Sequence, residues 1–214
     1  MPTVYQAEPA EYLIERSRFI GQAFRIIHPD EVESRLDHMR ASFPAANHYT
    51  WAYRINDASV RASDNGEPHG TAGRPILHIL TQADWIETLV VVVRYFGGIK
   101  LGRGGLVRAY QEAAQQALKK SIRGVVTPVE EIALHLSYRA FERILRKLEP
   151  LTLEVVPEFA EHVVLHLRVQ QSQSGAVRDL LDQNGEREWE IVSSKVDTVV
   201  IPQADGPASG LQSE

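Results

Sequence analysis

The 214 residues contain no cysteine. Disulfides, thiolate nucleophiles and cysteine metal ligands are therefore excluded. Long hydrophobic runs are also missing: the longest wholly aliphatic stretch is residues 89–93, against the roughly 20 residues a membrane-crossing helix needs. The opening MPTVYQAEPAEYLIERSRF has no basic start followed by an apolar core, so no secretory leader and no membrane partner are expected, and the chain reads as cytoplasmic. Basic charge is not in excess, with 23 Lys/Arg against 28 Asp/Glu and a net charge of −5. Non-specific nucleic-acid affinity comes mainly from neutralising phosphates, so the whole chain is a poor candidate for it. Gly-x-Ser-x-Gly is absent, and with it the nucleophile elbow of the serine hydrolases. These patterns call for no cofactor and no metal.

What is present is a strand, a glycine-rich loop and a helix. Residues 89–93 are a β-branched run that reads as a buried strand. Gly97, Gly98, Gly102, Gly104 and Gly105 follow, with Lys100 and Arg103 among them. Glycines let backbone N–H groups converge, and a helix N-terminus adds partial positive charge, so the segment suits an anion. It is neither of the familiar phosphate loops. Val107 stands where a dinucleotide fingerprint has its third glycine, and no Gly-Lys-Ser/Thr triplet enters the helix. The glycines could equally serve only to turn the chain and admit close helix–sheet packing. Charge divides unevenly: residues 1–126 carry +2 and residues 127–214 carry −7. A polyanion would thus choose the first half, where Arg94, Lys100, Arg103 and Arg108 form the densest cationic group.

Two further groups are candidates. Asp64, Glu67 and His69 share one polar loop and could bind a divalent cation, or could simply organise a turn and pair with an arginine. His48, beside Tyr49 and Trp51, could act as a base or a stacking platform. Strand alternation, however, turns one face of that group into the core.

Three blocks resemble a known family. Val92-Val93-Arg94-Tyr95-Phe96-Gly97-Gly98-Ile99-Lys100-Leu101-Gly102, continuing through Gly104-Gly105-Leu106-Val107-Arg108-Ala109-Tyr110, resembles the signature of the YigZ/IMPACT family. Ser63-Asp64-Asn65-Gly66-Glu67-Pro68-His69-Gly70-Thr71-Ala72-Gly73-Arg74-Pro75-Ile76-Leu77 and Ser17-Arg18-Phe19-Ile20 are similar to its other two blocks, and all three fall in the family's order within the first half of the chain. Asn65, His69 and Thr50 depart from the pattern, Thr50 standing where family members carry cysteine. The resemblance implies an N-terminal domain like those of a small-subunit ribosomal protein and RNase PH, with two layers, and a ferredoxin-like second domain similar to one in elongation factor G. It also implies a role in translational control, since IMPACT proteins bind a protein activator of a stress kinase.

The fold class expected is α+β. An N-terminal domain covers residues 1–126, with strands near 19–27, 48–55 and 60–62, and helices after 29, at 75–80 and at 104–120. A linker bracketed by Gly124 and Pro128 leads to a βαββαβ domain over 127–202. Its strands fall at 131–137, 151–156, 162–169 and 188–193, its helices at 138–148 and 174–184, and residues 195–201 could extend the sheet edge. Asn184-Gly185 would cap the last helix, and 203–214 is expected to be a disordered tail. The function expected is a non-catalytic regulator binding RNA, a ribosome-associated surface or a translation-control protein through the glycine loop. The alternative is an enzyme that holds a phosphorylated small molecule or nucleotide there.

Overall fold

The aliphatic run becomes the central strand of a sheet, covered on both faces. The computed structural model describes residues 1–183 and 189–203. The described residues form two units, Met1–Val125 together with residues 200–203, and Val126–Val199.

The sheet of the first unit contains β2 (Ala10–Ile14), β3 (Ser17–Arg25), β4 (His48–Asn56), β5 (Ser59–Ser63) and β6 (Thr88–Tyr95). Their order is β2-β3-β6-β4-β5, and every neighbouring pair is antiparallel. Alternation along β6 divides its side chains between two cores. Val90 and Val92 join Ile76, Ile79 and Leu80 of α2 (Gly73–Gln82) and Leu106, Tyr110, Ala113 and Ala117 of α3 (Gly102–Lys119). Leu89, Val91 and Val93 face Val32, Leu36 and Met39 of α1 (Glu31–Ser42). The expectation of two layers is corrected here: helices cover both faces, because β6 is apolar on both. The alanines of α3 allow a close approach to the sheet. A Cβ on Gly21 of β3 would come within 2.7 Å of the Ala113 carbonyl oxygen.

Two N-terminal strands went unanticipated, β1 (Thr3–Ala7) and β2. The expected linker is also absent. Residues 121–136 are one strand, β7 (Ser121–Leu136), with Gly124 and Pro128 inside it. Its start pairs with β1, and Gly124 is needed because a Cβ would lie 2.3 Å from Val200 Cγ1. Pro128 falls between the stretch paired to β1 and the stretch that begins at Val129, where neither register uses its missing N–H.

In the second unit, α4 (Tyr138–Leu148), β8 (Glu154–Phe159), β9 (Val163–Gln170), α5 (Ser174–Gln183) and β10 (Trp189–Pro202) follow β7. The strand β8 starts later than expected because a short turn at Glu149–Leu151, carrying Pro150, prolongs α4. Ser137 caps α4 by accepting the Ala140 N–H. The sheet order is β7-β9-β8, with β10 also pairing β7. Both helices pack on one face, where Ile144, Leu148, Val177 and Leu181 meet Leu165, Leu167 and Val169. The Asn184-Gly185 cap lies outside the described residues, as does the tail after Gln203. Among the described residues no helix is long and apolar enough to cross a membrane.

Candidate functional site

All three signature blocks meet at one buried ion pair. Arg94 is the last buried residue of β6, and the sheet register sets it opposite Phe19 of β3 and His48 of β4. It shares a face with Val90 and Val92, so its guanidinium enters the space beneath α3 and the polar loop of residues 64–72. There Glu67 meets it: Arg94 Nη1 donates to Glu67 Oε1 at 2.7 Å. The Tyr110 hydroxyl of α3 donates to the same oxygen, also at 2.7 Å. His48 Nε2 stands 3.9 Å from that oxygen. The pair is almost dry, with 6% of the Arg94 side chain and 3% of the Glu67 side chain exposed.

The surroundings fix both partners. The Arg94 guanidinium lies over the rings of Phe19 and Phe96, at 5.3 and 5.4 Å. Its Nη2 reaches Ser17 Oγ at 3.5 Å, and that oxygen also accepts the Gly97 N–H at 3.2 Å. Burial, then the charge of Glu67 and the hydrogen bond to it, push the Tyr110 phenol far above the ordinary tyrosine range. Thr50, in place of the family's cysteine, donates to the Val92 carbonyl at 3.0 Å and stands beside the Tyr110 hydroxyl.

The polar loop is built from its own side chains. Asp64 accepts N–H groups from Gly70 at 2.7 Å, Ala72 at 3.0 Å and Gly73 at 2.9 Å, which ties the loop to the start of α2. Burial alone would raise the Asp64 pKa; those three donors outweigh it and hold the carboxyl below the ordinary aspartate value. Asn65, at φ +42°, accepts the Tyr49 N–H on its side-chain oxygen, and its carbonyl bonds His48 Nδ1 at 2.9 Å. The Asn-Gly turn thus orients His48 toward Glu67. The candidate trio does not converge: Asp64 is committed to backbone, Glu67 points inward, and His69 is 88% exposed, 3.7 Å from Asp64. Among the described residues no three metal-ligating side chains gather.

The cationic group divides. Arg94 is withdrawn into the ion pair, whereas Lys100, Arg103 and Arg108 are exposed. Arg103 Nη2 donates to the His69 carbonyl at 2.8 Å and so joins the glycine loop to the polar loop. The glycines have different reasons for being there. Gly97 is steric, since a Cβ would lie 2.0 Å from the Arg16 carbonyl carbon. Gly98 and Gly102 adopt φ of +86° and +68° in open space. Gly105 is tight against Leu101, and Gly104 is merely exposed helix. Helix α3 starts with no side-chain cap on its first N–H groups.

Tyr110 and Ser17 were missed as partners in this cluster. Tyr110 counted as core, and the signal was a lone hydroxyl on a face otherwise lined with alanine and leucine.

Residues 15–118 match the family described as the Impact N-terminal domain. The chain is 35% identical over 181 residues to "IMPACT family member YvyE" of Bacillus subtilis, covering 81% of this chain and 82% of that protein. It is 41% identical over 132 residues to "IMPACT family member YigZ" of Escherichia coli, covering 58% and 63%. A solved structure described as a crystal structure of a hypothetical protein is 28% identical, with a TM-score of 0.58, over 89% of this chain and 95% of the other. With its three signature blocks gathered at the Arg94–Glu67 pair, and with a 35% identical relative matching along most of both chains, this protein belongs to the YigZ/IMPACT family.

Proposed function

We propose that the chain is a non-catalytic regulator linked to translation that engages RNA, a ribosome-associated surface or a translation-control protein through its glycine loop. One observation carries this reading. Lys100, Arg103 and Arg108 stand exposed around the uncapped start of α3, while the charge of Glu67 beneath them is balanced by Arg94. Family membership supplies the link to translational control. Helices on one face and the order β10-β7-β9-β8 support a ferredoxin-like second domain. In that domain's own numbering the order reads four-one-three-two. The first domain is taken, with the family, to resemble those of a small-subunit ribosomal protein and RNase PH.

The test is binding of labelled single-stranded RNA across a salt series. Three phosphate contacts predict a log–log salt slope of about −2. Replacing Lys100 and Arg108 by alanine removes two of the cations and leaves the Arg103–His69 bridge intact. Binding should weaken and its slope flatten toward about −0.7. A folded wild type that binds no RNA at low salt refutes direct RNA recognition.

The second reading, an enzyme holding a phosphorylated small molecule at the same loop, is favoured by the half-buried His48 beside the Glu67 carboxylate. A nucleotide at 100 times its Kd would then stabilise the fold by about 2.7 kcal/mol in a thermal-shift series.

A further inference from the structure

Among the described residues, one face of the second unit's sheet carries no helix. Along β9, Val163, Leu165, Leu167 and Val169 enter the core, so His166 and Arg168 point the other way. The registers line up rows across three strands: Glu131 with Arg168 and Glu154, then Ala133 with His166 and Val156. With Lys195 of β10 these residues border a groove of about 600 Å³.

Its charges are unequal. Arg168 is shared between two carboxylates, donating to Glu131 at 3.3 and 3.1 Å and to Glu154 by a short contact. Lys195 Nζ sits 3.3 Å from Asp197. Glu158, 70% exposed, faces the imidazole of His166 at 3.6 Å. Negative charge is therefore left over, above a floor that includes Val156, 46% exposed. Among the described residues no Phe, Tyr or Trp lines the groove, and its one ring is the His166 imidazole, engaged by Glu158. An RNA-binding sheet needs several stacking rings and cations, and this groove offers one imidazole held by a carboxylate and no surplus of cations.

We propose that this groove docks a cationic segment of a partner protein. The segment's apolar side chains would lie over Ala133 and Val156, and its Lys or Arg side chains on Glu154 and Glu158. The groove shares no residue with the glycine loop, and neither reading depends on the other.

The probe is a fluorescein-labelled dodecapeptide of alternating Lys and Val, titrated by anisotropy into the full chain at low and moderate salt. The controls are the Glu-Val counterpart and a single-stranded RNA. The expected result is salt-sensitive binding of the Lys-Val peptide alone, weakened about tenfold or more by Glu154→Gln/Glu158→Gln. Val156→Arg should weaken it too, whereas Lys100→Ala/Arg108→Ala should leave it unchanged. If Glu154→Gln disturbs folding, as read by circular dichroism, Glu158→Gln alone serves, since that side chain stands largely in solvent. Four results would each overturn the proposal: no binding by the wild type, equal binding of the acidic peptide, displacement of the cationic peptide by the RNA, or an affinity unmoved by the glutamate substitutions.

Discussion

Glu67 and Arg94 lie 27 positions apart in the chain and meet at 2.7 Å, with 3% and 6% of their side chains exposed. A buried pair of this kind gives little net stability over an apolar pair. Breaking it by removing one partner costs about 3–5 kcal/mol, because a bare charge stays buried. Arg94→Ala should lower the urea midpoint steeply. The paired change Glu67→Leu/Arg94→Met should recover most of that loss. If the single and double variants are equally unstable, the coupling is not electrostatic.

Tyr110 gives a prediction in alkali. Its folded-state pKa is raised, so the neutral phenol contributes stability that is whole below the unfolded value of about 10 and is lost as pH rises beyond it. Urea melts of the wild type should lose stability above about pH 10 more steeply than those of Tyr110→Phe. The variant should already be weaker at pH 7, by about 1–2 kcal/mol, since Glu67 then keeps Arg94 but loses its second donor.

Asp64 predicts the opposite limb. Its pKa is lowered in the folded state, so its contribution is present above about pH 4 and lost as pH falls through the folded value. Asp64→Asn should be less stable at neutral pH and should lose less on acidification to pH 3. Parallel acid titrations of the two proteins would rule the assignment out.

The glycines separate cleanly by substitution. Gly97→Ala cannot be accommodated without moving the chain at Arg16, and that variant should fail to fold or melt far below the wild type. Gly98→Ala should cost about 1–2 kcal/mol through its positive φ alone. Gly104→Ala, in exposed helix, should stabilise by roughly 0.5–1 kcal/mol. Thermal melts of the three rank them directly. If the wild type binds RNA as proposed and a stable Gly104→Ala does not, close approach of the ligand to that backbone is the reason.

Much of this architecture could be read from residue patterns. The aliphatic run 89–93 announced its strand, and the 3.6-residue period placed α4 at 138–148 as observed. The strand at 121–136 was hidden because glycine and proline usually punctuate. Gly124 is there for a close approach from Val200, a long-range fact that no local window contains. The site was half legible for a similar reason. Counting cations grouped Arg94 with Lys100, Arg103 and Arg108, but burial is decided by partners distant in the chain. Only the fold brings Glu67 to Arg94 and leaves the other three in solvent. Asp64 looked like a possible ligand because hydrogen bonds to backbone N–H groups leave no trace in composition.

The order β2-β3-β6-β4-β5 also bears on the timing of biosynthesis. Two hairpins, β2-β3 and β4-β5, leave the ribosome before β6, each with an inner edge that only β6 will pair and an apolar face still awaiting α3. The strand that joins them is the last to be made. Until Tyr95 has emerged, a nascent chain holds two half-sheets with nothing between them. Until α3 follows, Phe19 and Ala23 have no lid. Folding of this unit therefore waits on its own signature segment, and truncation anywhere before residue 95 should give a product that aggregates rather than a smaller folded domain.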